Sequence, residues 1–102
     1  MIARVWSARA TRAGAPQYVD YFTTRVLPEL GAIAGYQGAK VLTRGDDEVE
    51  IVVITWWASL DAVRAFAGES VDTAVVHHAA AALLTSFDRD VRHFAVAVDE
   101  QR

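Results

Sequence analysis

Residues 49–61 read Val-Glu-Ile-Val-Val-Ile-Thr-Trp-Trp-Ala-Ser-Leu-Asp, a β-branched run that closes on two tryptophans before Ser59 starts a new element. Side chains alternate across a strand, so Val49, Ile51, Val53, Thr55 and Trp57 share one face and Val52, Ile54 and Trp56 the other. Neither set belongs in water. The pattern predicts helices over one face and a second copy of the chain over the other. Residues 2–10 alternate more faintly, with Ile2, Arg4, Trp6 and Ala8 against Ala3, Val5 and Ser7. After a turn at 11–15, Pro16 suits the start of a helix in which Tyr18, Val19, Phe22, Val26 and Leu30 recur every three or four residues. Pro28 is predicted to end or bend it. Residues 36–44 form a second strand, with Gly45-Asp46-Asp47 as the hairpin turn into the third. Ser59 caps a short helix that Gly68 closes. The alanine-rich stretch 71–84, with Ser70 as its cap and Val71, Val75, Ala79 and Ala82 as its stripe, predicts a further helix. Residues 87–98 begin irregularly and then alternate Phe94, Val96 and Val98 against Val91, His93, Ala95 and Ala97 as the last strand.

The order β-α-β-β-α-β is that of a ferredoxin-like α+β fold, an antiparallel sheet with helices on one face. All 102 residues are expected to form one domain. Composition adds a second hint of self-association, since 53% hydrophobic content is high for so small a body. The formal charge of −3 argues against a nucleic-acid or anionic-membrane surface. Without cysteine there is no disulfide, thiolate nucleophile or sulfur metal site, in keeping with a cytoplasmic protein. Arg4 and Arg9 interrupt the opening apolar pattern, unlike a signal peptide, and no apolar run approaches the ~20 residues of a membrane span.

Few residues invite chemistry. His93, in the last strand, is the best acid–base candidate; the plain alternative is a histidine bonded to a neighbouring strand. Arg4 suits a substrate oxyanion, or an ordinary ion pair. Trp57 and Trp6 offer flat faces for an aromatic ring, or simply fill the core or the seam between subunits, while Trp56 points the other way, beneath the helices. His77 and His78 diverge by ~100° on a helix, which makes shared metal binding unfavourable, although His77 suits a cavity mouth. Ser59 lacks a nucleophile context, and no glycine loop of P-loop or Rossmann form is present.

Taken with the element order, Met1-Ile2-Ala3-Arg4-Val5-Trp6, Pro28, Gly35-Tyr36-Gln37-Gly38, Trp57-Ala58-Ser59 and Phe66-Ala67-Gly68-Glu69 give a chain that resembles the antibiotic biosynthesis monooxygenase family over residues 1–98. The resemblance implies a dimeric α+β barrel with a cavity between sheet and helices in each subunit. It also implies oxygenation of a small aromatic or polyketide-like molecule without metal, flavin or haem. Trp57 falls where the quinone-forming members carry a site tryptophan, but their asparagine and tyrosine fall on Val53 and Val63. In a haem-degrading branch the first-strand asparagine falls on Trp6 or Ser7, the helical tryptophan on Phe66, and the histidine near Val76 or His77. Three functions stay open: a cofactor-independent monooxygenase, a non-catalytic binding or stress-response protein, and a haem-degrading oxygenase. In the first, His93 accepts a phenolic proton, Arg4 holds the anion, Trp57 and Trp6 hold the ring, and Val53, Thr55 and His77 complete the wall.

Overall fold

The computed structural model describes residues 1–102. Strand β1 (Ile2–Thr11) leads into helix α1 (Gly14–Tyr21), which widens to a π turn over Phe22–Val26 and resumes as α2 (Leu27–Gly31). Pro28, lacking an N–H, cannot donate to the helix turn before it, and it directly follows the π turn. In the wide turn Thr23 and Thr24 bond back to the carbonyls of Val19 and Asp20, each at 2.8 Å. The expected bend is therefore a change of helical pitch. Strands β2 (Tyr36–Gly45) and β3 (Glu48–Trp57) follow, then α3 (Leu60–Ala67), the one-turn α4 (His78–Ala81), β4 (Ser86–Phe87) and β5 (Arg92–Ala95).

The sheet runs β2-β3-β1-β4 with β5 also paired to β1, and these pairings are antiparallel. This is the expected α+β ferredoxin-like arrangement. At the hairpin, Gly45 adopts φ 108°, and a side chain there would run into the Glu48 carbonyl. Ser59 caps α3 by accepting from the Ala62 N–H at 3.2 Å, and Gly68 closes it at φ 83°.

Three expectations change. Residues 71–77 are irregular and only His78–Ala81 is helical. The carbonyls of Val71 and Thr73 accept from the Arg4 guanidinium, and the Val91 N–H donates to the Asp72 carbonyl. Thr73 also bridges to Asp90. Backbone groups engaged in this way are not free for a helical ladder. The last strand, expected to run on to Val98, is regular only over Arg92–Ala95, after the irregular segment at 88–91. Finally, the two tryptophans exchange faces. The helices cover Val49, Ile51, Val53, Thr55 and Trp57, which are all buried, so Trp57 is the core residue. Trp56 lies on the uncovered face, half-buried, with the Lys40 ammonium 5.8 Å from its ring centre. That face also carries Val5, Val52 and Ile54, with Leu42 47% and Phe94 48% exposed.

Candidate functional site

Between the sheet and the helices lies a cavity of about 70 Å³. Sixteen residues line it, thirteen of them hydrophobic. The sheet supplies Arg4, Trp6, Val53 and Thr55, and the irregular segment before β5 gives Val91. The helical layer supplies Tyr18, Tyr21, Phe22, Val26 and Leu30, and α3 gives Phe66. The irregular strap 74–77 and Ala80 close the remaining side.

One polar row crosses this apolar wall. Arg4 pairs across the sheet with Thr55 on β3 and with His93 on β5, so the three side chains project from the same face. Arg4 is only 5% exposed. Its Nη1 donates to the Val71 carbonyl at 2.5 Å and lies 3.0 Å from His93 Nε2, while Nη2 donates to the Thr73 carbonyl at 3.1 Å. Guanidinium has donors and no acceptor, so His93 must present the lone pair of Nε2 to Arg4. The imidazole proton then sits on Nδ1, 3.1 Å from Asp72 Oδ1, and donates to that carboxylate. Burial pulls the Arg4 pKa down from 12.5 to about 10, only partly offset by the charge of Asp72.

His93 thus stands behind Arg4, away from the cavity wall, with its basic nitrogen occupied. It acts on the cavity only through the guanidinium. Trp57 is likewise one layer back: it is fully buried, its Nε1–H donates to Thr55 Oγ1 at 2.8 Å, and Tyr36 and Phe66 pack on its ring at 5.5 and 5.8 Å. Trp6 does reach the cavity, fixed by its Nε1–H donating to the Asp88 carbonyl at 2.7 Å. Val53, Thr55 and His77 line it as well. His77 is at the rim, its side chain 57% exposed and 4.0 Å from Glu29. No three His, Cys, Asp or Glu side chains cluster as a metal centre would require.

The family model for antibiotic biosynthesis monooxygenases matches residues 1–83. The chain belongs to the antibiotic biosynthesis monooxygenase family. Among solved structures, it is similar to a variant of MhuD crystallised with two manganese protoporphyrin IX molecules bound per active site, at 21% identity and TM-score 0.66, each chain covered in full. A Nitrosomonas europaea protein of unknown function is similar at 17% identity and TM-score 0.65, covering 99% of this chain and 93% of its own. At such identities the likeness is one of fold. Among curated proteins no sequence match is found. No helix is long and apolar enough to cross a membrane.

Residues that the sequence did not mark out include Asp72 and Tyr21. Tyr18 was legible as an apolar-stripe residue, but in the fold it also faces the cavity. Burial pushes its phenol pKa well above 10.0, with Tyr21 adding to the shift.

Proposed function

We propose that this family member binds an aromatic or polyketide-like small molecule in the cavity and oxygenates it without a cofactor, working as a homodimer in the cytoplasm. The observation that carries this reading is a largely apolar cavity with a single buried cation in its wall. Such a site desolvates a flat ligand and holds one oxyanion of it against Arg4. His77 at the rim is the lining group placed to take a proton from the substrate, and the apolar wall keeps water from the carbanion that forms. For an anthrone-type methylene the balance is simple. One atom of O₂ becomes the new carbonyl oxygen, and the other leaves as water with the two methylene hydrogens.

Ligand pockets usually span roughly 300–1,000 Å³, so binding requires this cavity to open. The strap is the part able to yield, because Val75 and Val76 make no backbone hydrogen bonds. The second subunit is proposed to cover the face that carries Leu42, Ile54, Trp56 and Phe94.

Oxygen consumption with a panel of anthrones and quinols tests the reaction. Ligand retained in air without oxygen uptake would instead favour a binding protein. Val53 points that way, since it fills with a methyl pair the position at which the quinone-forming members carry an amide. The porphyrins in the MhuD variant raise haem degradation as a third reading, with His77 as axial ligand. Absence of a Soret shift on titration with haemin would remove it.

A further inference from the structure

The least explained group in the molecule is the Arg4 guanidinium. Its three hydrogen-bond partners are two backbone carbonyls and an imidazole that must be neutral to accept from it. No carboxylate lies within ion-pair distance of it. Asp72, the acid behind His93, has its side chain 80% exposed to solvent. A buried cation surrounded by neutral acceptors is expensive unless something negative joins it. A second donor stands beside it. Thr55 is the cross-strand neighbour of Arg4 and lines the same cavity. Its oxygen already accepts from Trp57, which leaves the hydroxyl hydrogen free to be donated.

We propose that the ligand of this cavity is an apolar carboxylate whose head group seats on Arg4 and the Thr55 hydroxyl, with its ring or chain among Trp6, Tyr18 and Phe66. The inference rests on the cavity reading above and narrows its oxyanion to a carboxylate. A planar carboxylate matches the guanidinium fork, and it arrives already ionised at neutral pH. A phenol does not, since its ordinary pKa is about 10. At Arg4 no group can ionise it, because the lone pair of His93 Nε2 is taken up by the guanidinium. The lowered pKa of Arg4, set mainly by its burial, agrees with this incomplete charge compensation.

The same geometry supplies the opening. Val71 and Thr73, whose carbonyls occupy Arg4, lie at the start of the segment that closes the cavity. An incoming carboxylate competes for those donors, and each carbonyl it displaces loosens the strap that must move for the ring to enter.

The test is calorimetric titration of the full-length protein at pH 7.5 with 2-naphthoate, 2-naphthamide and 2-naphthol, which share one ring system. In the unsubstituted protein naphthoate is expected to bind at least about tenfold more tightly than the other two, the scale of a charge-assisted hydrogen bond. Arg4→Met, shown to be folded by circular dichroism, should bring all three within about threefold of each other. Should Arg4→Met not fold, Thr55→Val should lower the preference for naphthoate and Thr55→Ser should restore it. Equal binding of naphthoate and naphthamide overturns the carboxylate inference and leaves the cavity reading standing. Tighter binding of naphthol does the same in favour of a phenol, and failure of all three to bind removes both.

Discussion

Adjacent tryptophans on opposite faces of β3 make a controlled comparison. Trp57 is fully buried, stacked on Phe66 and bonded to Thr55, whereas Trp56 lies on the uncovered face. Truncating a buried tryptophan to alanine typically costs ~3–5 kcal/mol. Trp57→Phe keeps most of the ring and should lose roughly 1–2 kcal/mol of packing by the same cavity argument. Loss of the Nε1–H donor to Thr55 adds about 0.5–1.5 kcal/mol. The expected total is ~2–3 kcal/mol, which for a domain of this size lowers Tm by roughly 10–20 °C. Trp56→Phe should act differently. If the proposed second subunit covers that face, its cost should grow with protein concentration, while the cost of Trp57→Phe should not. Urea denaturation followed by far-ultraviolet circular dichroism at two protein concentrations reads both. A loss below about 0.5 kcal/mol for Trp57→Phe, in the range of an ordinary surface change, would refute the assignment of the helix-covered face.

Ile54→Glu places a carboxylate in the middle of the uncovered face, beside Val5 and Lys40 in register, and should convert a sedimenting dimer to monomer with the fold intact. Unchanged sedimentation would show that this face is not the seam. Tyr18 and Tyr36 both have pKa values raised by burial, so each favours the folded state with a stability contribution that is complete below pH 10.0. That contribution falls away as pH climbs above 10.0, and a Tyr18→Phe variant should lose stability less steeply there in urea melts. Val53→Asn sets an amide into the largely apolar wall, in register with Trp6, and should cost ~1–3 kcal/mol in the same melts. Stability equal to that of the unsubstituted protein would mean that the wall can satisfy an amide after all.

What the chain reveals in advance is what its neighbours along the sequence enforce. The hairpin at Gly45, the capped helix after Ser59 and the alternation of β3 each follow from a turn residue next to a periodic run. Alternation separates Trp56 from Trp57 but does not say which side receives helices, because that depends on where Phe66 and Tyr36 pack. Residues 71–77 mislead for a related reason. Their composition is compatible with a helix, yet Arg4, 67 positions earlier, claims the carbonyl of Val71. Arg4 and His93 are both conspicuous as residues, while their contact depends on a register linking the two ends of the chain. Cavity-wall positions such as Tyr18 and Phe66 carry the same apolar periodicity as core positions, so no pattern separates wall from core. Asp72 offers no signal at all until the fold brings it against His93.

The placement of the only buried cation also constrains how oxygen chemistry could run here. Were Arg4 to hold the reacting oxyanion itself, it would favour deprotonation but oppose the next step, because the field that stabilises an anion also resists removing an electron from it. At an effective dielectric constant of about 20, a unit charge 4 Å away is worth ~4 kcal/mol, and at about 8 Å the effect halves. A ligand anchored by a separate carboxylate keeps the guanidinium about one ring away from the carbon that must reduce O₂. Such a ligand gains its orientation from Arg4 and Thr55 and surrenders less of its reducing power. The reacting carbon then lies among Trp6, Tyr18 and Phe66, where the nearest acidic hydrogen is held by the raised-pKa phenol of Tyr18. On this arrangement the row His93–Arg4–Thr55 positions the substrate, and the apolar remainder of the cavity protects the carbanion.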